Sequence, residues 1–276
     1  MYNQIKKCVF LNQQKINLIL KATEPFISYI YVKPEWKQIF NNKWNSTVNP
    51  YGHTTVRYCI PGKMDRIMNI SGSVPDELVF FFDPEEYIFT KTNLIGDNQG
   101  SISERSFIEL RINVNEEKVI KLNQYYEKIK IEALEKKIEF SPLPWSFFNK
   151  LFENSSDFFK NPIKGNCCYW STSGFKEIGL IDENSSWPLH AYFKIIKNHI
   201  DNINIISYKG INSNIEPIKL LVRLFHRFQF DLDDFSNIII EPKLINEDEN
   251  NQFYELNVIH REHIKTKIDN FKEYFN

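Results

Sequence analysis

The alternation of apolar and polar positions divides the chain into short strands and a few helical stretches. Phe26 to Val32 (FISYIYV) is rich in aromatic and β-branched residues and predicts a strand. Pro34 then suits the start of a short helix, Glu35 to Phe40. A polar loop, NNKWNSTVNPYG, leads into His53 to Ile60 (HTTVRYCI), whose β-branched content and period of two predict a second strand. Pro61 to Asp65 predicts a turn, and Arg66 to Ser71 the returning strand. His53 therefore opens one arm of a hairpin, and Asn69 lies on the other. The run Leu78-Val-Phe-Phe-Phe82 reads as a buried strand, and Phe107 to Val114 as another.

The clearest helix follows, from Asn115 to Ile138. Asn115 can cap it, Glu116 and Glu117 suit its positive end, and Val119, Leu122, Tyr126, Ile129 and Ala133 line one face. Ser141 to Phe159 is aromatic and irregular, predicting loop and short helix packed on a core. A second helix opens near Gly165-Asn166 and stops at Gly179. Asn202 to Tyr208 predicts a strand, and Ile218, Leu221, Val222 and Phe225 mark a third amphipathic helix. Two short strands, Asn237 to Glu241 and Phe253 to Ile259, flank the acidic loop Asn246 to Asn251, and a charged helix closes the chain. The expected organisation is an N-terminal strand and helix extension over residues 1–45, a core over 46–210, and a helix-and-strand appendage over 211–276.

Composition narrows the function classes. A chain of 276 residues with 42% hydrophobic content can bury a core without disulfides or metals. The formal net charge of −1 provides no general attraction to nucleic acid or to an acidic membrane surface. The longest apolar stretches, Phe26 to Val32 and Leu78 to Phe82, fall short of the ~20 residues that span a bilayer, so no integral membrane segment is expected. The N-terminus MYNQIKKCVFLNQQ lacks the apolar core of a signal peptide. Four cysteines, two of them adjacent, fit a reducing compartment better than a disulfide scaffold, which predicts a cytoplasmic protein. There is no glycine-rich phosphate loop, zinc-type cysteine spacing or dinucleotide fingerprint.

Candidate chemistry centres on Cys167. A cysteine nucleophile acts as thiolate, and its free pKa of ~8.5 leaves little of that form at neutral pH. A helix N-terminus and a nearby histidine both correct this. Gly165-Asn166-Cys167-Cys168-Tyr169-Trp170 places Cys167 at a predicted helix start, and Gly52-His53 begins a strand. Asn69, on the neighbouring arm of the hairpin, is placed to orient the imidazole.

These residues resemble a known family. A Gly-His pair opening a strand, a returning strand with a polar residue, and an Asn-Cys pair opening a helix resemble the permuted, NlpC-like branch of the papain fold. That branch includes the lecithin:retinol acyltransferase relatives and several bacterial and viral thiol hydrolases. The unpermuted order places cysteine before histidine; here the order is His53, Asn69, Cys167. More closely, Asn49-Pro-Tyr-Gly-His-Thr-Thr-Val-Arg-Tyr58, Met68-Asn-Ile70 and Gly165-Asn-Cys-Cys-Tyr-Trp-Ser-Thr172 are similar to an uncharacterised group of plant and protist proteins. The resemblance spans Tyr51 to Tyr208.

The resemblance implies an α+β, permuted papain-like fold, with an antiparallel sheet packed against the helix that carries the cysteine. It makes Cys167 the nucleophile and His53 the general base and then acid. Asn69 becomes the third catalytic group, where family members often carry His, Asp or Glu. The backbone N–H of Cys167 would contribute to an oxyanion hole. The implied activity is a cysteine-dependent acyl hydrolase or acyltransferase acting on a peptide, amide or ester bond through a thioester. No cofactor and no metal are required. Absence of an apolar anchor favours amide or peptide substrates over lipid esters.

Other readings compete with each signal. Cys8 and Cys59 fit small core residues. Cys168 is the alternative nucleophile or a resolving thiol, and His190, in Trp187-Pro-Leu-His-Ala-Tyr192, is the competing base. His260 and His263, three apart on a predicted helix, lack a second pair of ligands and fit a solvated face. The aromatics Trp145, Phe147 and Phe148 fit core packing more simply than an acyl pocket. A catalytically inactive papain-fold scaffold, or a binding protein of another fold, remains the alternative to an enzyme.

Overall fold

A computed structural model describes residues 7–33, 52–72, 77–90, 101–102, 105–141, 163–211 and 232–261, without the side chain of residue 234. Its elements run β1 (Lys7–Leu11), α1 (Gln13–Leu20), β2 (Phe26–Val32), β3 (His53–Ile60), β4 (Met64–Ile70), β5 (Val79–Phe82), α2 (Pro84–Phe89), β6 (Phe107–Asn113) and α3 (Glu116–Leu134). They continue with β7 (Ile138–Phe140), β8 (Ile163–Gly165), α4 (Cys167–Glu177), α5 (Pro188–His199), β9 (Ile203–Tyr208), a 3₁₀ turn (Leu232–Phe235), β10 (Ile238–Glu247) and β11 (Asn251–His260). The class is α+β. No helix among the described residues is long and apolar enough to cross a membrane.

One nine-stranded sheet, ordered β1-β11-β10-β9-β6-β2-β3-β4-β5, organises the fold, and β7 and β8 form a separate parallel pair. The large sheet is mixed, which corrects the expected antiparallel one: β1 joins β11, and β9 joins β10, in parallel. The stretch β9-β6-β2-β3-β4-β5 is antiparallel throughout.

Helices cover both faces. Tyr29, Tyr58, Met68 and Leu110 pack with Leu122 and Tyr126 of α3, Phe175 of α4 and Tyr192 of α5. On the opposite face Ile30, Ile67, Phe107 and Tyr208 pack with Ile16 of α1 and Tyr87 of α2. Strand β2 is therefore buried along its whole length, as its unbroken apolar and aromatic sequence requires.

That second face also buries charge. Glu109 is fully buried, with Arg111 Nη2 3.0 Å and Arg57 Nη1 3.7 Å from its Oε1. Ser28 and Tyr208 donate hydroxyl hydrogen bonds to Glu109, and Arg57 reaches both carboxylate oxygens of Asp65. The two guanidinium groups sit over the Phe26 ring, at 5.0 and 4.3 Å from its centroid.

Several boundaries differ from the sequence expectation for identifiable reasons. The helix after Asn115 stops at Leu134, four residues short of Ile138. Lys136 takes φ 57, and Ile138 turns into β7. The strands β10 and β11 run to Glu247 and from Asn251, absorbing half of the acidic loop into a hairpin whose turn is tied by Asp248. His260 ends strand β11 and pairs with Ile238, so it does not lie on a helix. Strand β1 and helices α1, α2 and α5 went unread. The predicted helices at 35–40, 218–225 and the C-terminus, the irregular 142–159 segment with its three aromatics, and His263 lie outside the described residues.

The buried carboxylate generates a test. Burial pushes the Glu109 pKa up, but Arg111, Arg57 and the two hydroxyl donors overcome it and hold the pKa down at about 2. A folded pKa below the unfolded ~4.3 stabilises the native state above that pH, and the contribution disappears as pH falls towards 2. Glu109→Gln is expected to cost about 3–5 kcal/mol at pH 7, because two guanidinium groups lose their shared counter-charge. Urea melts across this pH range should show the acid-side loss in wild type and a weakened one in the variant.

Candidate active site

Helix α4 starts at Cys167 because Asn166 caps it: the Asn166 Oδ1 accepts the Tyr169 N–H at 2.9 Å. The other end of the same amide, Nδ2, donates to Ser186 O at 2.8 Å and pins the segment before α5. Gly165 is required just before the cap, since a Cβ there would lie 2.4 Å from the Tyr169 ring and 2.8 Å from Trp170 Nε1. Behind the first turn, the Thr172 hydroxyl donates to Cys168 O at 2.7 Å and accepts the Ser185 N–H at 2.8 Å. Tyr126 of α3 donates to Ser171 O at 2.9 Å. The turn is thus fixed by its own cap, by Thr172 within the helix and by Tyr126 of α3.

His53 is the first residue of β3, pairing with Val32 of β2 at the rim of the sheet. The preceding Gly52 has φ +83, and a Cβ there would lie 2.6 Å from Val32 O, so the entry into β3 has room only for glycine. The pairing of β3 with β4 begins one step inside, at Thr55 and Asn69. Asn69 therefore sits diagonally from His53 on the same face, and its Oδ1 lies 2.5 Å from His53 Nε2. An amide oxygen can only accept, so Nε2 carries the proton of this hydrogen bond.

Cys167 meets this imidazole. His53 and Thr54 lie close enough to the thiol for the imidazole's charge and the hydrogen-bonding groups of both residues to act on it. Burial pushes the Cys167 thiol up, but the charge of His53, its hydrogen bond and the two Thr54 donors bring it below the ordinary thiol value. The sulfur also sits at the start of an eleven-residue helix, where the first N–H groups have no intrahelical acceptor.

The structure thus brings together Cys167, His53 and Asn69. Thr54 joins them, and sequence reasoning missed it. Its signal was positional: a residue directly after the histidine, at a strand start, has an N–H not yet committed to a ladder.

Cys168 and His190 lie elsewhere. Consecutive helix residues diverge by about 100°, so Cys168 turns into the core, 3.6 Å from the Tyr29 hydroxyl. Tyr29 donates its own proton to Pro188 O at 2.9 Å, leaving Cys168 as the donor to Tyr29. Burial and the neighbouring Cys167 push the Cys168 thiol well up, which keeps it protonated. His190 is exposed on the first turn of α5, with Nδ1 3.2 Å from Ser185 Oγ. Burial of part of the ring and Lys194 lower its pKa.

All four cysteines are free. Cys59 is buried near Asp65, its thiol pushed up to about 11 by burial and that carboxylate. Among the described residues no group of three or more His, Cys, Asp or Glu side chains forms a metal site. No protein-family model, curated protein or solved structure matches this chain.

Proposed function

We propose that this protein is a cysteine-dependent acyl hydrolase or acyltransferase of the permuted papain-like type. One observation carries the reading: the Cys167 thiol, at a helix N-terminus, pairs with a His53 whose far nitrogen is held by Asn69. A nucleophile, a base within hydrogen-bond reach and a group that fixes the base's tautomer are the three parts that thiol acyl transfer needs.

In this mechanism His53 Nδ1 takes the Cys167 proton, and the thiolate attacks the acyl carbon of a peptide, amide or ester. The tetrahedral oxyanion is met by backbone N–H groups at the start of α4. As it collapses, the imidazolium passes its proton to the departing amine or alcohol, leaving a thioester on Cys167. Water or an acceptor amine then attacks the thioester while His53 Nδ1 takes the incoming proton. That proton returns to sulfur as the acyl product leaves, so thiol and imidazole are restored. Asn69 holds Nε2–H throughout and takes no proton. The steps use no metal and no cofactor. Four free thiols support a reducing, cytoplasmic setting.

A specific observation favours a second reading. Cys167 is 1% exposed and His53 3%, which suits a papain-fold scaffold whose dyad has become a structural contact. Reactivity separates the two.

Iodoacetamide labelling resolved by mass spectrometry at each cysteine should show Cys167 reacting with an inflection below the ~8.5 of a free thiol. Because the thiol pKa is lowered, its rate rises at a lower pH than that of Cys8 and then levels off. His53→Ala should cut the rate at pH 7 by at least about tenfold and move the inflection upward. Equal labelling of Cys167 and Cys8, indifferent to His53, would leave the scaffold reading standing.

Asn69→Ala should slow Cys167 labelling by about three- to tenfold with the fold intact, since the imidazole loses its tautomer control. Cys168→Ala should leave the Cys167 profile in place. A collapse of labelling in Cys168→Ala with native circular dichroism would reassign the nucleophile.

A further inference from the structure

The described residues contain three buried cations: Lys33, Arg57 and Arg105. Two are neutralised. Arg57 lies on Asp65 and Glu109. Lys33 Nζ is 2.7 Å from Asp233 Oδ1, and Lys209 pairs with the other oxygen of the same carboxylate. Arg105 differs. It is 8% exposed, no carboxylate among the described residues pairs with it, and its Nε is buried without a hydrogen-bond partner. A desolvated guanidinium without a counter-charge is costly and marks a place where an anion is expected.

The backbone holds Arg105 rigidly at the rim that carries His53. Strand β6 starts at Phe107, which pairs with Val32, and Val32 pairs on its other side with His53. Ser106 O accepts Lys33 N–H at 2.9 Å, Ser106 Oγ accepts Gly210 N–H at 2.9 Å, and Arg105 N–H donates to Ser101 O at 2.9 Å. Gly210 packs so tightly that a Cβ would lie 2.7 Å from the Arg105 carbonyl carbon. Tyr31 links this segment to Cys168, the chain neighbour of the candidate nucleophile. Its hydroxyl lies in electrostatic range of both Arg105 and Cys168, and 3.1 Å from where a Gly52 Cβ would stand.

We infer that Arg105 is the specificity-determining residue of the candidate site, and that it binds a carboxylate on the acyl substrate. The inference rests on the thiol acyl-transfer reading. The planar guanidinium presents paired N–H donors that match two oxygens. Charge sets the class: Lys33 and Lys209 are taken up by Asp233, so among the described residues of this rim one positive charge remains, suited to a monoanionic carboxylate rather than a phosphate dianion. The favoured substrates are amides or esters of amino acids, peptides or dicarboxylic acids with a free carboxylate near the scissile carbonyl.

Charged and neutral alkylating probes of equal length test this on the full chain. Bromoacetylglycine and bromoacetyl-β-alanine carry a carboxylate at two reaches, and their carboxamides are the neutral controls; in each case the Cys167 thiolate displaces bromide. In wild type at least one acid should label Cys167 about tenfold faster than its amide, as a charge-assisted contact predicts. Arg105→Gln should abolish that preference, bringing the acid and amide rates together, and Arg105→Lys should restore it in part. Equal acid and amide rates in wild type overturn the inference, without depending on the folding of any variant. So does a preference that survives Arg105→Gln.

A second readout works without thiol chemistry. Millimolar succinate should raise the melting temperature of Cys167→Ser protein by a margin that acetamide does not give and that Arg105→Gln removes. No rise sinks the carboxylate site even if Cys167 proves reactive. A rise with an inert Cys167 keeps the anion site and sinks the acyl-transfer reading.

Discussion

The contact between the Cys167 sulfur and the first two residues of β3 is the constraint on which the site depends. It joins the end of a helix on one face of the sheet to a strand that would otherwise present His53 to the other face. Along a strand side chains alternate, so Thr54 points towards the helices while His53 shares a face with Thr55 and Asn69. The two meet only because His53 is the first residue of β3, beyond the last β3–β4 pair at Thr55 and Asn69. At that rim a side chain from one face and a helix terminus from the other can touch. Gly52, with its positive φ and its close approach to Val32 O, allows the chain to enter at that point.

The buried charges divide into two groups with different duties. Arg57, Arg111, Glu109 and Asp65 lie inside the sheet on the face away from α4, and every charge there has a counter-charge. Such a cluster fixes the register of β2, β3 and β6, because a one-residue slip would carry Glu109 to the apolar face and leave the guanidinium groups bare. At the rim, Asp233 holds the ends of β2 and β9 together through Lys33 and Lys209. Arg105, on the same rim, lies outside both networks. A cation left over where the others are neutralised is a binding feature rather than a fold-stabilising one.

The strands nearest the site were legible because their local signals agree with their burial. FISYIYV reads as a strand from composition and is buried throughout, and HTTVRYCI with its Pro-Gly turn fixes the hairpin. The Asn166 cap and Gly179 bracket α4 as their side-chain and backbone preferences dictate. What escaped was set by tertiary pairing. Strand β1 is five residues long and acquires its structure from β11, some 240 positions away in the register Lys7 to Asn251. The β10–β11 hairpin was legible only in its apolar halves, Asn237 to Glu241 and Phe253 to Ile259; its extension to Glu247 and from Asn251 runs through polar, acidic sequence, and the ladder makes that part strand. Arg105 was invisible for a related reason: an arginine before a strand reads as solvated, and its burial and its unpartnered Nε belong to the folded structure.

The adjacent cysteines show how one helical turn can make chemically unlike groups from identical side chains. Cys167 points to the rim, where the charge of His53 and the hydrogen-bonding groups of His53 and Thr54 favour its anion. Cys168 points inward to Tyr29, whose proton is already committed to Pro188 O, so sulfur there must keep its own. Each state reinforces the other: a negative Cys167 raises the cost of ionising Cys168, and a neutral Cys168 removes a competing anion from beside Cys167. Burial alone would have raised both thiols. The split arises because His53 and Thr54 outweigh burial at Cys167 while the groups around Cys168 do not outweigh it there, and it would persist even where the dyad served only as a structural contact. For that reason the ionisation of Cys167 is evidence of a built environment, and access of an acyl group to the sulfur is what separates an enzyme from a scaffold.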